Sequence, residues 1–402
     1  MRVLHVEKFA EGPFWQAGGV GSYIRCLIDF HRRAGHVVEL FGCGDPARED
    51  RVAFEDFDSA GPLALGRMVH NPAAAAKLAA YLRRHPVDVA HLHNVYHHLT
   101  PSILPVLRRA GAAVVMTAHD YRLACPAKHF LRDRDVCMRC AGGRFHHAAS
   151  RRCLGVRGLA VAAESFAQRT ARRYFRGVDL LLCPTPFMAA VQRQAGWPGQ
   201  KLRVAPNPVD PLPLPDAASP KTIDLLYLGR LAPEKGPELL LDLADRLPRA
   251  RLVVAGAGPS AEAVEAEARR RGLDGIEFRG QVDRRQAGEL MAATRAFVLT
   301  SRCMENSPAG LLEALGAGVP AVVPDHPPLR EWVLPGRTGW RYRPGDPADL
   351  AAAAGRLLSQ PDRAREMGAE AARAVRARHE PTVAAGRIET FYQEAIHRCA
   401  SR

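Results

Sequence analysis

Short apolar runs that alternate with helix-like segments constrain the fold of this chain more than any other feature of its sequence. In the first half of the chain we predict strands at 3–6, 36–41, 87–93, 113–117 and 178–183. Segments with helical spacing separate these strands. Parallel strands need such crossovers, whereas antiparallel strands can follow one another through tight turns. We therefore predict a parallel α/β domain over residues 1–205.

A proline-rich stretch interrupts this pattern, and the pattern then begins again. Repeated prolines at 206–220 favour a stiff, extended connector, which we predict to be the linker between two domains. Further strand-like runs follow at 223–228, 251–255, 276–278, 296–300 and 319–323. We predict a second parallel α/β domain at 221–380. The last helix, at 381–402, is expected to pack back on the first domain.

Polar and glycine residues follow several of the predicted strands, at the edge of a parallel sheet where ligands bind. Gly18 and Gly19 lie between the first strand and the first helix, where glycines let a phosphate approach the backbone. His119 comes directly after the strand at 113–117. Arg230 and Lys235 follow the first strand of the second domain. We expect these residues to face a cleft between the two domains.

A predicted helix start in the second domain has the features of an anion site. Ser307 is a good N-cap, and Pro308 suits the first helical position, where its missing N–H costs nothing. The backbone N–H groups of Ala309 and Gly310, with the positive end of the helix dipole, would then bind a phosphate.

Two carboxylates bracket this anion site. Glu305 lies in the loop before the helix, and Glu313 lies on the helix itself. This spacing is common by chance, so the pair gains meaning only from the glycine loops and the cations around it.

Taken in chain order, these pieces resemble the motifs of a family 4 glycosyltransferase, and the likeness covers nearly the whole chain. The matching pieces are Gly18-Gly19-Val20-Gly21, Gly35-His36-Val37-Val38, His119-Asp120, Asn207-Pro208-Val209-Asp210, Gly229-Arg230, Glu234-Lys235-Gly236, Gly256-Ala257-Gly258-Pro259, and Glu305 with Glu313. The resemblance implies the GT-B architecture, an α/β fold of two Rossmann-like domains facing across a cleft. It also implies a retaining transfer of a sugar from a nucleotide-diphosphate-sugar donor to a glycan, a lipid-linked or a small-molecule acceptor, with no metal required.

The resemblance further implies a role for each candidate residue. Arg230 and Lys235 would pair with the donor diphosphate, beside the N–H groups of Ala309 and Gly310. Glu313 would accept hydrogen bonds from the ribose hydroxyls. Glu305 would contact the transferred sugar. His119 would hydrogen-bond the hydroxymethyl end of that sugar, and the Gly18-Gly19 backbone would approach a phosphate. Pro308 stands where the family often has a glycine.

Four cysteines lie close together in the sequence, in an insertion at 125–153. They are Cys125, Cys137, Cys140 and Cys153. Four thiolates, two of them in a C-x-x-C pair, suit a tetrahedral structural zinc, and His146 or His147 could replace one ligand. An iron–sulfur cluster, a redox disulfide and unliganded thiols are the alternatives.

The formal net charge of +14 is the unusual bulk property of this chain. Nucleic acid, an anionic membrane surface or an anionic small molecule would each explain it. Residues 1–8 do not read as a secretory signal, because His5 and Glu7 interrupt the apolar run. We expect a cytoplasmic protein, with peripheral association at the inner face of the membrane.

Two other functions compete with sugar transfer. A nucleotide-sugar epimerase or hydrolase of the same architecture would consume its donor without an acceptor. A zinc-containing nucleic-acid-binding protein would use the positive charge and the cysteines. We do not expect nucleic acid to bind, since Glu305 and Glu313 would repel its phosphates.

Overall fold

A computed structural model describes residues 1–12, 15, 18–54, 62–170, 173–212 and 220–402. Within it the chain forms two compact units. The first unit contains Met1–Lys128, Cys137–Pro208 and Pro381–Arg402, and the second contains His129–Val136 and Val209–Glu380. Of the predicted linker at 206–220, residues 213–219 lie outside the described part of the chain.

The first unit is built on a parallel sheet. The strands before residue 208 are β1 Arg2–Phe9, β2 Val37–Cys43, β3 Arg51–Val52, β4 Val89–Leu92, β5 Ala113–Thr117, β6 Leu131–Arg132, β7 Asp135–Val136, β8 Cys153–Val156, β9 Leu180–Cys183 and β10 Leu202–Val204. Seven of them form one sheet in the order β10-β9-β5-β4-β1-β2-β3, with parallel pairing throughout. Strands β4, β5 and β9 are buried at every position, as expected of strands covered on both faces.

The second unit has its own parallel sheet. Its strands are β11 Ile223–Leu228, β12 Leu252–Ala255, β13 Ile276–Gly280, β14 Thr294–Val298, β15 Ala321–Pro324 and β16 Gly339–Tyr342. Their order is β13-β12-β11-β14-β15-β16, again with parallel pairing. Two parallel sheets in an α/β arrangement confirm the fold class that the alternating pattern predicted.

Helices connect the strands in both units. They are α1 Gly19–Arg33, α2 Pro62–Val69, α3 Pro72–Arg84, α4 Leu104–Arg109, α5 His146–Ser150, α6 Arg157–Thr170, α7 Arg173–Gly177, α8 Pro186–Gln194, α9 Glu238–Arg246, α10 Ala261–Arg271, α11 Arg284–Ala292, α12 Ala309–Gly316, α13 Pro347–Ser359, α14 Pro361–His379 and α15 Pro381–Ala400. Several begin at classical caps; the Asn71 side chain, for example, accepts a hydrogen bond from the Ala74 N–H before α3. Among the described residues, none of these helices combines the length and apolar character needed to cross a membrane.

The last helix belongs to the first unit. Ala385, Ile388 and Tyr392 of α15 are buried in the same core as Ile24 and Leu27 of α1. The first unit is therefore completed by residues that follow the second unit in the sequence.

Residues 129–136 require a correction to the predicted first domain of 1–205. They contain the antiparallel hairpin of β6 and β7 and belong to the second unit. The Met304 N–H donates to the His129 carbonyl at 3.2 Å, which fastens the start of this segment to a loop of the second unit. Sequence periodicity could not show this, because such a contact depends on residues far apart in the chain.

Candidate active site

The order of strands in the second sheet reverses direction between β11 and β14. Loops that leave the carboxyl ends of two such neighbours diverge, and parallel α/β sheets bind ligands at this point. Arg230 and Lys235 lie in the loop after β11, and Glu305 lies in the loop after β14. The Thr300 hydroxyl donates to the Lys235 carbonyl at 2.8 Å and so joins the two loops. The structure thus brings three predicted site residues to one edge of the sheet.

A largely buried ion pair lies at these strand ends. Lys235 Nζ is 2.6 Å from Glu305 Oε1, and the Ser301 hydroxyl donates to the same oxygen. Burial alone would raise the pKa of Glu305, but the charge of Lys235 and the hydrogen bonds outweigh burial and hold that pKa below its usual value. Burial likewise opposes the charge of Lys235, and Glu305 reverses the effect and raises the Lys235 pKa. Both groups are therefore charged at neutral pH.

Arg230 is in a different environment. Its side chain is 60% exposed, and its Nη1 lies 3.8 Å from the Glu234 carboxylate, which is a weak ion pair. An arriving anion could therefore recruit Arg230 without breaking a buried contact.

Helix α12 begins one residue later than predicted. Pro308 has φ −71° and ψ 110°, an extended conformation, and is itself the residue before the helix. The Ser307 hydroxyl is buried and has no hydrogen-bond partner within the described ranges, so the prediction that Ser307 caps the helix is wrong. The extended Pro308 separates Ser307 from the first turn. Ala309 and Gly310 are then the first two helical residues, whose N–H groups point out of the helix end.

A close backbone approach places this helix end directly over β11. A Cβ atom on Gly310 would lie 2.7 Å from the Leu228 carbonyl oxygen, so a larger residue would push the helix away. The Gly256-to-Gly258 turn is packed in the same way, since a Cβ on Gly256 would lie 1.9 Å from the Gly229 carbonyl oxygen. Close packing against neighbouring backbone therefore requires a glycine at both positions.

Glu313 lies further along α12, and its carboxylate has a more distant cationic partner than the carboxylate of Glu305 has. Its Oε1 is 3.7 Å from Arg284 Nη1. Burial raises the pKa of Glu313 to about 7; Arg284 opposes this rise and Asp210 adds to it. The two glutamates that bracket the helix start therefore have opposite pKa shifts.

The first sheet also reverses its order, between β1 and β4. Gly18 is the N-cap of α1, which begins at Gly19 in the connection after β1. Among the described residues, no atom lies within 4 Å of a Cβ placed on Gly19. Packing therefore does not require a glycine here, which leaves close approach by a ligand as a reason for one.

Four histidines lie side by side at this edge of the first sheet. His5 and His91 face each other on β1 and β4, and His93 and His119 follow β4 and β5. His93 Nδ1 is 2.9 Å from His119 Nε2, and His93 Nε2 is 3.0 Å from His5 Nδ1. Burial lowers the pKa of His119 to about 3, so its ring is neutral.

Known protein families match the sequence of both units. The family described as Glycosyltransferase Family 4 matches residues 17–211, and the family described as Glycosyl transferases group 1 matches residues 216–374. The chain belongs to glycosyltransferase family 4.

Curated relatives of this family 4 chain include glycogen synthase from Mycobacterium tuberculosis, 32% identical over 262 residues, or 61% of this chain and 60% of that protein. The sulfoquinovosyl transferase SQD2 from Arabidopsis thaliana is 32% identical over 157 residues, or 37% of this chain and 29% of that protein. The matched region thus spans less than two thirds of either relative.

Solved structures match the family 4 chain over nearly its full length. Sucrose-phosphate synthase from Thermosynechococcus elongatus has a TM-score of 0.74 at 21% identity and covers 98% of both chains. Anabaena HepE in complex with UDP-glucose has a TM-score of 0.67 at 17% identity, with 98% of this chain and 100% of that chain covered. These likenesses establish the GT-B fold.

In the insertion of this family 4 chain, three cysteines lie near Cys140. Cys125 and Cys140 are buried, whereas Cys137 and Cys153 are partly exposed. Burial and the other three thiols, Cys125, Cys153 and Cys137, together raise the pKa of Cys140 to about 12, which requires these thiols to lie nearby. In the described part of the chain, however, the three ligand atoms that lie within 4.8 Å of one another belong to His5, His91 and His93. The thiols are therefore gathered but more widely spaced than in a closed zinc site.

Sequence reasoning singled out His119 and noted His93, but it missed His5 and His91. Both are fully buried in parallel strands, where polar side chains are rare. That rarity, together with the two-residue spacing of His91 and His93 on one face of a strand, was the signal available in the sequence.

Proposed function

We propose that this chain transfers a sugar from a nucleotide-diphosphate-sugar donor to an acceptor hydroxyl, with retention of anomeric configuration. The observation that carries the proposal is the buried pair of Lys235 and Glu305 at the switch point of the second sheet, next to the start of α12. Family membership supports it, and so does the likeness to HepE, a protein whose structure holds UDP-glucose.

In this proposal the donor diphosphate binds at the start of α12. The N–H groups of Ala309 and Gly310 and the helix dipole supply fixed partial charges, and Arg230 and Lys235 supply full ones. Because Lys235 already contacts Glu305, the diphosphate would share its ammonium group. As the bond between the anomeric carbon and the diphosphate breaks, these groups would stabilise the charge on the departing nucleoside diphosphate.

The two glutamates are proposed to act on the two ends of the donor. Glu305, an anion held rigidly by Lys235 and Ser301, would bind the transferred sugar and stabilise positive charge at its anomeric carbon. Glu313 would accept hydrogen bonds from the ribose. His119, as a neutral ring, would hydrogen-bond the sugar hydroxymethyl group, and the Gly18-Gly19 backbone would approach a phosphate.

The acceptor is proposed to be a glycan, a lipid-linked sugar or a small molecule, and the site is proposed to be cytoplasmic. The net charge of +14 supports peripheral attachment to the anionic inner face of a membrane. Co-sedimentation with vesicles that contain anionic lipid, compared with neutral vesicles, tests this attachment.

The proposed function can be tested with a panel of nucleotide sugars. Thermal shift first identifies the sugar donor that binds, and a transfer assay then measures activity with that donor. One donor should raise the melting temperature, because it binds only the folded state. With that donor, Glu305→Gln should lower kcat about 100-fold or more, while Glu262→Gln, an exposed change on α10, should not. Equal activity in Glu305→Gln and wild type would refute the site assignment. Donor breakdown that needs no acceptor would instead indicate an epimerase or hydrolase.

A further inference from the structure

A row of hydrogen-bonded imidazoles runs from His119 into the interior of the first unit. His119 Nε2 meets His93 Nδ1 at 2.9 Å, and His93 Nε2 meets His5 Nδ1 at 3.0 Å. The row ends at His5 Nε2, which is buried and has no hydrogen-bond partner in the part of the chain that the structure describes. His5 is fully buried, and His93 nearly so.

The surroundings keep these rings neutral. Burial, with smaller contributions from His31 and Arg32, lowers the pKa of His5 to about 3. Burial also places the pKa of His93 well below its usual value, with further lowering by His91, His119 and His5. Burial and the neighbouring groups thus all disfavour a proton on His5 and on His93.

Neighbouring hydroxyl groups belong to a separate hydrogen-bond network around His91. The Tyr392 hydroxyl lies 2.6 Å from His91 Nδ1, and Thr117 Oγ1 lies 2.7 Å from His91 Nε2. The Tyr23 hydroxyl lies 3.2 Å from the same Thr117 oxygen. Both nitrogens of His91 are therefore occupied, and His91 packs beside the row without joining it.

A neutral imidazole carries one N–H, so the row can run in only two directions. If each N–H points inward, from His119 to His93 to His5, the row ends in a buried N–H on His5 Nε2. If each points outward, it ends in a bare acceptor nitrogen at the same place. A buried N–H without a partner is rarer in proteins than an acceptor without one. The outward direction is therefore the more stable one.

We infer that His5 and His93 are positioning residues that fix His119 in the tautomer with hydrogen on Nδ1. In the outward direction His5 Nδ1–H donates to His93 Nε2, and His93 Nδ1–H donates to His119 Nε2. His119 then accepts a hydrogen bond at Nε2 and carries its own hydrogen on Nδ1, so within the proposed function the ring would act on the sugar as a donor. The catalytic meaning of this inference rests on the proposed function, whereas the tautomer itself does not.

Nitrogen-15 NMR of histidine-labelled protein tests the tautomer directly, because protonated and bare ring nitrogens resonate far apart. The His119 signals are assigned by their loss in His119→Gln. We expect hydrogen on Nδ1 and a bare Nε2 throughout pH 5.5–8, since the pKa of His119 is about 3. Hydrogen on Nε2, or titration of His119 within this range, would overturn the inference whether or not the protein proves to be a transferase.

A pair of substitutions at His93 then separates positioning from packing. His93→Gln keeps an amide N–H that can donate to His119 Nε2, and His93→Leu fills the buried space without a donor. We expect kcat/KM to fall about fivefold to tenfold in His93→Leu and by less than about threefold in His93→Gln, the range of one hydrogen bond. If Leu preserves activity better than Gln, His93 serves only packing and the inference fails. Thermal unfolding of both variants shows whether each is folded, and the NMR result on the wild type stands without them.

Discussion

Glu305 and Glu313 have the same side chain, and their surroundings move their pKa values in opposite directions. Glu305 is buried, but the ammonium of Lys235 at 2.6 Å compensates the cost of its charge. Glu313 is partly buried beside the more distant Arg284, and its pKa rises to about 7. Two carboxylates with separated pKa values usually have separate roles. This difference suits the roles proposed above, a permanently charged Glu305 for the transferred sugar and a titratable Glu313 for the ribose.

Donor affinity should consequently depend on pH through Glu313. If the ribose hydroxyls donate to the ionised carboxylate, the proton must leave before the donor binds. Below a pKa of about 7 the ionised fraction falls, so affinity should weaken up to about tenfold for each pH unit between 7 and 5.5. Titration of a nucleotide sugar at several pH values measures this dependence.

Glu313→Gln provides the control for that titration. The variant should bind the donor more weakly at pH 8 and show little change with pH, because an amide does not titrate. Glu289→Gln, an exposed change that leaves Glu313, Arg284 and Asp210 intact, should behave like the wild type. A wild-type affinity that stays constant from pH 5.5 to 8 would rule out the proposed role of Glu313.

At the scale of elements, the insertion at 125–153 has little core of its own. Its residues Cys140, Phe145 and Ala148 form a small apolar cluster with Ala162 of α6, and Ala149 packs beside it. Turns shape the C-x-x-C segment: the Ala141 N–H donates to the Met138 carbonyl at 3.0 Å, and Gly143 adopts φ +76°. The soft donor set of four thiols fits zinc, and we propose that a structural zinc draws Cys125, Cys137, Cys140 and Cys153 together.

Metal analysis of the purified protein should therefore find about one zinc per chain. A strong chelator should lower the melting temperature by about 5–10 °C, because the metal holds the insertion in its folded form. Cys137→Ser should lose zinc, and Cys399→Ser, outside the insertion, should keep it. If protein purified without chelator holds less than about a tenth of an equivalent of zinc or iron, the four cysteines are unliganded thiols and the zinc proposal is wrong.

Helix α15 lies near the end of the chain, but it packs in the core of the first unit and should stabilise that unit. Ile388 is fully buried in the core of the first unit, while Val383 of the same helix is 48% exposed. Ile388→Ala should lower the free energy of unfolding by about 2–5 kcal/mol, because it leaves a cavity. Val383→Ala should change it by less than about 0.5 kcal/mol. Chemical denaturation of both variants measures the difference, and equal effects would mean that α15 does not pack in this core.

At the scale of the whole molecule, the first unit is assembled from separated parts of the chain. A fragment of residues 1–208 would not contain Ala385, Ile388 and Tyr392, whose side chains are buried in the core of the first unit. Expressed alone, they should therefore lack cooperative unfolding, since several buried side chains are missing and a side chain such as Ile388 contributes about 1.5–3 kcal/mol. Fusing residues 381–402 to residues 1–208 through a flexible linker should restore a cooperative transition. Cooperative unfolding of residues 1–208 alone would contradict this expectation.

The amino-acid sequence by itself determined the α/β class, both parallel sheets, the family and the positions of the glycine loops. These depend on local periodicity and on residues adjacent in the chain, such as Ala309 and Gly310 at a helix start. Sequence also placed Glu305 and Glu313 on either side of that start. Their pairing with Lys235 or Arg284, and hence their charge, could not be read from spacing.

Only the tertiary structure decided which distant residues meet. His5 lies on β1, and His93 and His119 follow β4 and β5, so their alignment depends on strand order in the sheet. The extended Pro308 moved the helix start past Ser307, and the segment 129–136 joined the second unit through a contact to Met304. Such contacts bring together residues many positions apart. Their free energies depend on burial and on hydrogen-bond geometry, which no local pattern of residues records.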